Sequence, residues 1–330
     1  MQNFELKKIL IIRFSSIGDI VLTTPVVRCL KKQLPNAEIH FLSKKSFQTV
    51  LQHNPYIDKL HLVNEKLSEV IPDLIKENFD FIIDLHKNLR SLRIKNAVKK
   101  PAHSFNKLNI EKWLLVNFKI NKMPDKHIVD RYFETTKSLG IINDGQGLDY
   151  FLTENDACLN QIPISFSGYG FVAWVIGGQH ETKKMPAEKI ISIAKKIDKK
   201  IVLIGGKEDF KDGEKISALV GRDKVFNACG KFTLNQSADL VKNAEKVISN
   251  DTGLMHIAAA FKRNILSLWG NTVPEFGMYP YLAGKDSKIM QIKNLHCRPC
   301  SKLGFKKCPK KHFYCMMMQD EVEIADWANV

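Results

Sequence analysis

Short aliphatic runs alternate with amphipathic helical stretches over one half of the chain and then again over the other, and this constrains the fold more than any other feature. Residues 8–14, 38–42 and 79–85 read as buried strands, rich in Ile, Leu and Phe. Helical spacing over residues 19–34 and 67–77 separates them. Strands split by a helix cannot pair through a tight hairpin, so they pair in parallel through right-handed crossovers.

Residues 143–168 break the rhythm with Asn143-Asp144-Gly145, Gly147, Pro163 and Gly168, the composition of a linker. Strands then follow at 170–176, 201–204, 225–227, 246–249 and 265–268, with helices at 187–196, 212–220, 235–243 and 254–261. The chain is therefore expected to be of the α/β class. Two Rossmann-like domains, residues 1–160 and 161–330, would face each other across a cleft lined by the loops at the carboxyl ends of their strands. A length of 330 residues suits two domains.

Hydrophobic content of 44% and charged content of 26% supply an ordinary core that needs no disulfides. No apolar run approaches the roughly 20 residues of a membrane span. The amino-terminal segment is polar, and its four apolar residues at 9–12 read as a strand rather than a signal peptide, so a cytoplasmic protein is expected. Fifty Lys and Arg against 35 Asp and Glu give a net charge of +15. That excess attracts nucleic acid, an acidic membrane or a phosphorylated substrate without choosing among them. A generally lysine-rich composition accounts for it equally well.

Two loops carry chemistry. Ser15-Ser16-Ile17-Gly18-Asp19 joins the first strand to the first helix, where backbone N–H groups at a positive helix end can seat an anion. It is neither G-x-G-x-x-G nor G-x-x-x-x-G-K-[ST], which weighs against a dinucleotide-dependent dehydrogenase and a P-loop kinase. Asp19 has two readings. It is either a first-turn carboxylate favoured by the helix dipole or a general base that takes the proton of a sugar hydroxyl. Pro25 is expected to shorten or kink the start of the helix.

In the second half, Asp251-Thr252-Gly253 precedes a strongly helical segment, where Gly253 permits close approach of a phosphate and Thr252 adds a hydroxyl. A plain helix cap fits the same residues, and His256 reads as a buried histidine or a ligand contact. Lys183 lies between a strand and a helix begun by Pro186, where an ammonium can meet a diphosphate.

Taken together, residues 9–13 with Ser15–Asp19, Thr182-Lys183-x-Met185-Pro186, Gly205-Gly206 with Glu208, and Ser249-Asn250-Asp251-Thr252-Gly253-Leu254-x-His256 resemble glycosyltransferase family 9, the ADP-heptose:lipopolysaccharide heptosyltransferases. The order and spacing of these segments run across nearly the whole chain. The resemblance implies a GT-B architecture, with acceptor held by the first domain and nucleotide-sugar by the second, and an inverting displacement. Asp19 would match the proposed catalytic base. Lys183, Thr252 and Gly253 would hold the donor diphosphate, with Thr182, Asp251, Leu254 and His256 in the same matched segments. Glu208 matches a position touching the nucleotide ribose, with Asp209 its rival, and Phe232 a position packing on adenine. Ser16 and Gly18 would belong to the acceptor side. So would Arg90 and the pair His127 and Arg131, whose spacing puts both on one helix face. Guanidinium groups suit carboxylate or phosphate, although a solvated basic face explains all three as well.

The partners implied are ADP-heptose, an anionic lipid-linked saccharide and the inner-membrane surface, to which the protein would attach peripherally. Two departures bear on substrate. Met185 stands where the family has Trp, and His86-Lys87 where it often has Gln-Gly. No D-x-D pair occurs, so no catalytic metal is expected and the leaving diphosphate would rely on a helix end and lysine.

Cys297-x-x-Cys300, Cys308 and Cys315 cluster within the segment 296–315. In a reducing compartment, clustering points to zinc before disulfides, yet the second pair is six apart, wider than zinc spacing. Structural zinc, free thiols and a disulfide stay open. Lys302, Lys306, Lys307, Lys310 and Lys311 make this loop strongly basic, suited to membrane or acceptor phosphate. A nucleic-acid-binding protein would explain charge and cysteines, but not two phosphate-type helix ends in successive domains. Enzymes of the same fold using UDP- or GDP-sugars, and a catalytically inactive binding subunit, are the other rivals.

Overall fold

The computed structural model describes residues 7–168 and 170–330. The chain forms two compact units. The first comprises the described part of Met1–Lys107 together with Lys126–Phe151, and the second Leu108–Asp125 with Leu152–Val330. A boundary expected at residue 160 thus falls at 151/152. The excursion 108–125 belongs with the second unit because Leu115, on the Asn109–Phe118 helix, buries against Val273 and Phe276.

The first unit is built on β1 (Lys8–Ile12), β2 (Glu38–Lys44), β3 (Lys59–Val63), β4 (Phe81–Asp84) and β5 (Ala102–Ser104), all parallel in the order β3-β2-β1-β4-β5. Ile9, Leu10, Ile11 and Ile12 are fully buried, because the central strand of a parallel sheet is covered on both faces. The second unit has β6 (Val172–Val175), β7 (Ile201–Ile204), β8 (Val225–Asn227), β9 (Lys246–Asn250), β10 (Asn264–Trp269) and β11 (Lys288–Gln291). They are also parallel, in the order β11-β10-β9-β6-β7-β8. The helix Ala187–Lys196 lays Ile190, Ile191, Ile193 and Ala194 on this sheet. Each buried isoleucine contributes about 1.5–3 kcal/mol.

Two sequence expectations change. The single helix at 19–34 is two, Ile17–Val21 and Thr24–Gln33. Pro25 sits in the first turn of the second helix, where its missing N–H has no partner to lose. The Thr23 and Thr24 hydroxyls donate to the carbonyls of Ile20 and Val21 across the break, each at 2.7 Å. The edge strand β3 also escapes the sequence reading. Its inward positions are His61 and Val63, so no aliphatic run marks it, and His61 is satisfied by His40 on β2 at 3.0 Å.

Candidate functional site

In an open parallel sheet the binding crevice lies beyond the carboxyl ends of the strands, where the strand order reverses. In the first unit that point is between β1 and β4, both bonded neighbours of one another with β2 on the far side of β1. The loop after β1 holds Asp19, and the loop after β4 holds His86 and Lys87.

Asp19 is built into a capping box. Its Oδ2 accepts the Ser16 N–H at 3.1 Å and the Ser16 hydroxyl at 2.8 Å. Its Oδ1 meets the Arg13 guanidinium at 2.6 Å. Arg13 ends the aliphatic run of β1 and is itself buried. It donates to Ser15 O at 2.8 Å, Leu85 O at 2.5 Å and the Tyr132 hydroxyl at 3.1 Å, so one side chain fixes both loops of the switch point. Burial works against its charge, but Asp19, Tyr132 and Asp84 outweigh that and raise its pKa. The cap and the base readings of Asp19 are therefore compatible: a carboxylate oriented by a cap still presents a half-buried side chain.

Beyond β4, buried Asp84 organises the second loop. It accepts from the N–H groups of His86 and Lys87 at 3.0 and 2.7 Å, from Ser91 at 2.8 Å, and pairs with Lys95 at 3.1 Å. Burial alone would raise its pKa, yet these donors bring it below the usual value. His86 stands edge-on to Phe14 with ring centroids 5.2 Å apart, and its buried Nδ1 has no hydrogen-bond partner among the described residues. Burial, then Arg13 and Lys107, push it down to about 4, so the imidazole is neutral near pH 7. Lys107 is itself lowered, by burial and then by Arg13. Arg13, His86 and Lys107 are site residues that the sequence reading did not assign. A charged residue terminating an apolar strand was the available signal for Arg13.

The basic residues expected on the acceptor side divide. Arg90 is exposed and lines a cavity of about 540 Å³ with Lys44, Lys45, Ser46 and Phe14, at the carboxyl ends of β1, β2 and β3. His127 and Arg131 do not form an exposed pair. His127 is the N-cap of the helix Ile128–Phe133, its Nδ1 accepting the Val129 N–H at 3.2 Å, and both side chains are buried. Four-residue spacing on a helix of six residues carries no information about which face is covered. Ser16 is exposed and Gly18 buried within the Asp19 loop.

In the second unit the order reverses between β6 and β9. The segment after β6 brings Lys183, and the segment after β9 brings Asp251, Thr252 and the helix Gly253–Ala260. Lys183 Nζ pairs with Asp251 Oδ2 at 2.6 Å, and the Thr272 hydroxyl donates to the same oxygen at 2.9 Å. Thr252 is the helix N-cap, with its hydroxyl 3.4 Å from that of Ser249. An ammonium, a hydroxyl and the open N–H groups of a helix start thus converge, the chemistry that holds a phosphate. Leu254 is half-buried and His256 buried, both on this helix.

Glu208 and Asp209 separate clearly. Asp209 is buried, accepts the Gly206 N–H at 2.8 Å, and pairs with Lys184 at 2.9 Å. A Cβ at Gly177 would lie 2.5 Å from its carboxylate and one at Gly205 2.8 Å, so both glycines make room for it. Glu208 is exposed, and Phe232 is half-buried at the start of the next loop. Thr182 is buried and engages the Phe305 backbone: its N–H donates at 3.2 Å and its Oγ1 accepts the Phe305 N–H at 2.8 Å. Its polar groups are thus spent on the backbone of the cysteine loop. A cavity of about 590 Å³ lies behind this loop, walled by Met185, Ile190, Ile216 and Phe313, and Lys183 and Thr252 lie outside it.

Cys297, Cys300, Cys308 and Cys315 are free thiols that share a small apolar cavity with His312. Burial raises Cys315 to about 12 and also raises Cys300. Zinc-bound sulfurs stand at about 2.3 Å from the metal and hence close together. Among the described residues, the one group of three ligands lying within 4.8 Å of one another is instead His40, His61 and Glu77. There, Glu77 already receives Lys8 at 2.9 Å and Lys59 at 2.5 Å, whose hydrogen bonds pull it down to about 2. Two ammonium groups neutralise the cluster, which reads as a closed hydrogen-bond network.

The sequence profile of glycosyltransferase family 9 (heptosyltransferase) matches residues 69–311. Lipopolysaccharide heptosyltransferase 1 of Campylobacter coli is 25% identical over 292 residues, covering 80% of this chain and 84% of that protein. Among solved structures, a glycosyl transferase family 9 protein from Veillonella parvula DSM 2008 is 25% identical, with a TM-score of 0.69, covering 86% of this chain and 85% of that one. Escherichia coli heptosyltransferase WaaC, solved with ADP, superposes with a TM-score of 0.66 at 20% identity over 86% of this chain and 92% of that one.

Proposed function

The chain belongs to glycosyltransferase family 9, an enzyme of GT-B fold, and from that premise we propose that it moves a heptose from ADP-heptose to an anionic, lipid-linked lipopolysaccharide-core acceptor. The observation that carries this reading is the convergence of Lys183, Thr252 and the Gly253–Ala260 helix start at the switch point of the second sheet. The identity of the nucleotide rests on the family, whose WaaC member was solved with ADP.

The acceptor hydroxyl oxygen attacks the anomeric carbon from the face opposite the diphosphate, and the bond to the leaving phosphate oxygen breaks. The hydroxyl proton passes to Asp19, and configuration inverts. Negative charge builds on the departing ADP, where Lys183, the Thr252 hydroxyl and the helix N–H groups stabilise it. Those groups supply the charge compensation that a divalent ion provides in other transferases, so no catalytic metal is invoked. Lys44, Lys45 and Arg90 suit an acidic acceptor headgroup. The second unit would then serve the donor and the first the acceptor. Residence on the cytoplasmic side of the inner membrane follows from that acceptor, and among the described residues no helix is long and apolar enough to cross a membrane.

Structural zinc in this reading would use Cys297, Cys300, Cys308 and Cys315, drawing the thiols together. One zinc per purified chain by elemental analysis supports it, and none removes it.

Thermal-shift titration with ADP, UDP and GDP tests the donor. A ligand at 100 times its Kd stabilises by about 2.7 kcal/mol, which is readily measured. ADP should shift the melt and UDP should not. The opposite ranking ends the ADP-heptose reading while leaving the fold and family untouched.

A further inference from the structure

Large apolar side chains exposed singly are ordinary on a soluble protein, whereas a cluster on one short segment marks an interaction surface. The helix Asn109–Phe118 and the residues just after it form such a cluster. Ile110 is 72% exposed, Trp113 49%, Phe118 58% and Ile120 47%. The opposite side of the helix is already used, with Leu115 buried against Val273 and Phe276 and the Lys112 ammonium 6.0 Å from the Phe276 ring. Trp113 and Phe118 stack edge-on at 5.1 Å, so the outward face is ordered aromatic surface.

This face continues into the cysteine loop. The Lys119 ammonium donates to Val116 O at 2.6 Å and to Pro299 O at 2.7 Å, fastening the end of the apolar segment to the start of that loop. From Pro299 the loop runs on through exposed Leu303 and Phe305 and exposed Lys302, Lys306, Lys307, Lys310 and Lys311. None of these five lysines is ion-paired among the described residues, so their charge faces outward. Trp and Phe beside unpaired lysines is the chemistry that partitions into an acidic bilayer interface, rings at headgroup depth and ammonium groups among lipid phosphates.

We propose that the Ile110–Trp113–Phe118–Ile120 face and the adjoining lysine loop together dock the enzyme on an anionic lipid bilayer. The proposal rests on the glycosyltransferase reading above only for its purpose, delivery to a membrane-embedded acceptor. Charge complementarity selects the lipid: each lysine near an anionic surface adds roughly five-fold to binding, so five of them favour it strongly over a neutral surface.

The test uses full-length protein with vesicles of phosphatidylethanolamine and phosphatidylglycerol, and with vesicles of phosphatidylcholine alone. Co-sedimentation should be seen with the first and be weak with the second, with a blue shift of Trp fluorescence. W113E/F118E should lower binding by about ten-fold or more, and exchanging the five loop lysines for Gln should lower it by about 10³-fold. These positions are exposed, and unchanged melting temperatures confirm that the variants fold. Undiminished vesicle binding by both variants overturns the proposal. Loss of a concentration-dependent dimer in W113E/F118E, with vesicle binding intact, assigns the face to a second copy and equally overturns it. Transfer to a deacylated, water-soluble acceptor should be the same in wild type and W113E/F118E. If no form transfers to any acceptor, the glycosyltransferase reading fails by itself, because vesicle binding is read separately.

Discussion

Both sheets end, at the point where strand order reverses, in an ion pair between an aspartate and a cation, and the two pairs are built with opposite emphasis. In the first unit Arg13 is the anchored partner, with its donors spent on Ser15, Leu85 and Tyr132, and Asp19 is the partly exposed one. In the second unit Asp251 is anchored by Thr272, and Lys183, on a flexible stem, is the group able to change partner. In the proposed transfer, an anchored cation would hold a carboxylate in place to take a proton. An anchored carboxylate would park an ammonium until a diphosphate replaced it. One local device, inverted, would thereby serve as base in one unit and as phosphate grip in the other.

Replacing Asp19 is the strongest way to break this comparison. Asp19→Asn keeps the cap geometry but removes the proton acceptor, and kcat should fall by about 10³-fold, with the ADP melting shift unchanged. Normal turnover would reduce Asp19 to a helix cap and leave the two pairs without a division of labour. Lys183→Met should do the complementary thing, losing about 10²-fold in kcat and also weakening ADP binding, since the ammonium acts on bound donor and leaving group alike. An unaltered ADP shift in that variant would show that Lys183 remains bound to Asp251 throughout.

Much of this was legible in the sequence because strand ends in parallel sheets are where loops present chemistry. Asp19, Lys183 and Thr252 follow continuous aliphatic runs, and β1, β4, β6, β7, β9 and β10 declare themselves that way. The edge strand β3 does not, since His61 faces inward. The anchors were equally hidden: Arg13 meets Tyr132 and Leu85, and Asp251 meets Thr272, through contacts made only by the folded chain. His127 and Arg131 are the reverse case, since helical spacing could not say that both side chains are buried.

A smaller effect concerns the proton balance around Asp19. His86 and His61 are each held at about 4, mainly by burial, against an ordinary 6.5. Below about pH 6.5 the unfolded chain takes up these protons while the folded chain does not, so stability present above that pH is lost as pH falls toward 4. The slope is up to about 1.4 kcal/mol per pH unit for each histidine. Melting temperature should therefore drop between pH 6.5 and 4.5, and His86→Gln should flatten that drop. The activity profile of His86→Gln near pH 6.5 should match wild type, because a histidine already neutral there cannot supply the transition. A profile that moved would make His86, rather than Arg13, the group setting the field at Asp19.

The smallest expected effect sharpens the second unit. Asp209 repeats the anchored role, buried and paired with Lys184, whereas Glu208 beside it is exposed. If the anchored carboxylate is structural and the exposed one meets the ribose, the two conservative amides should behave differently. Glu208→Gln should raise the donor KM by about five-fold, the difference between a charge-assisted and a neutral hydrogen bond, with the melting temperature unmoved. Asp209→Asn leaves the Lys184 ammonium with only the exposed Glu181 as counter-charge and should lower the melting temperature instead. Were Asp209→Asn to change donor KM at full stability while Glu208→Gln did nothing, the ribose contact would pass to Asp209, and burial would no longer distinguish anchor from working group on this side of the molecule.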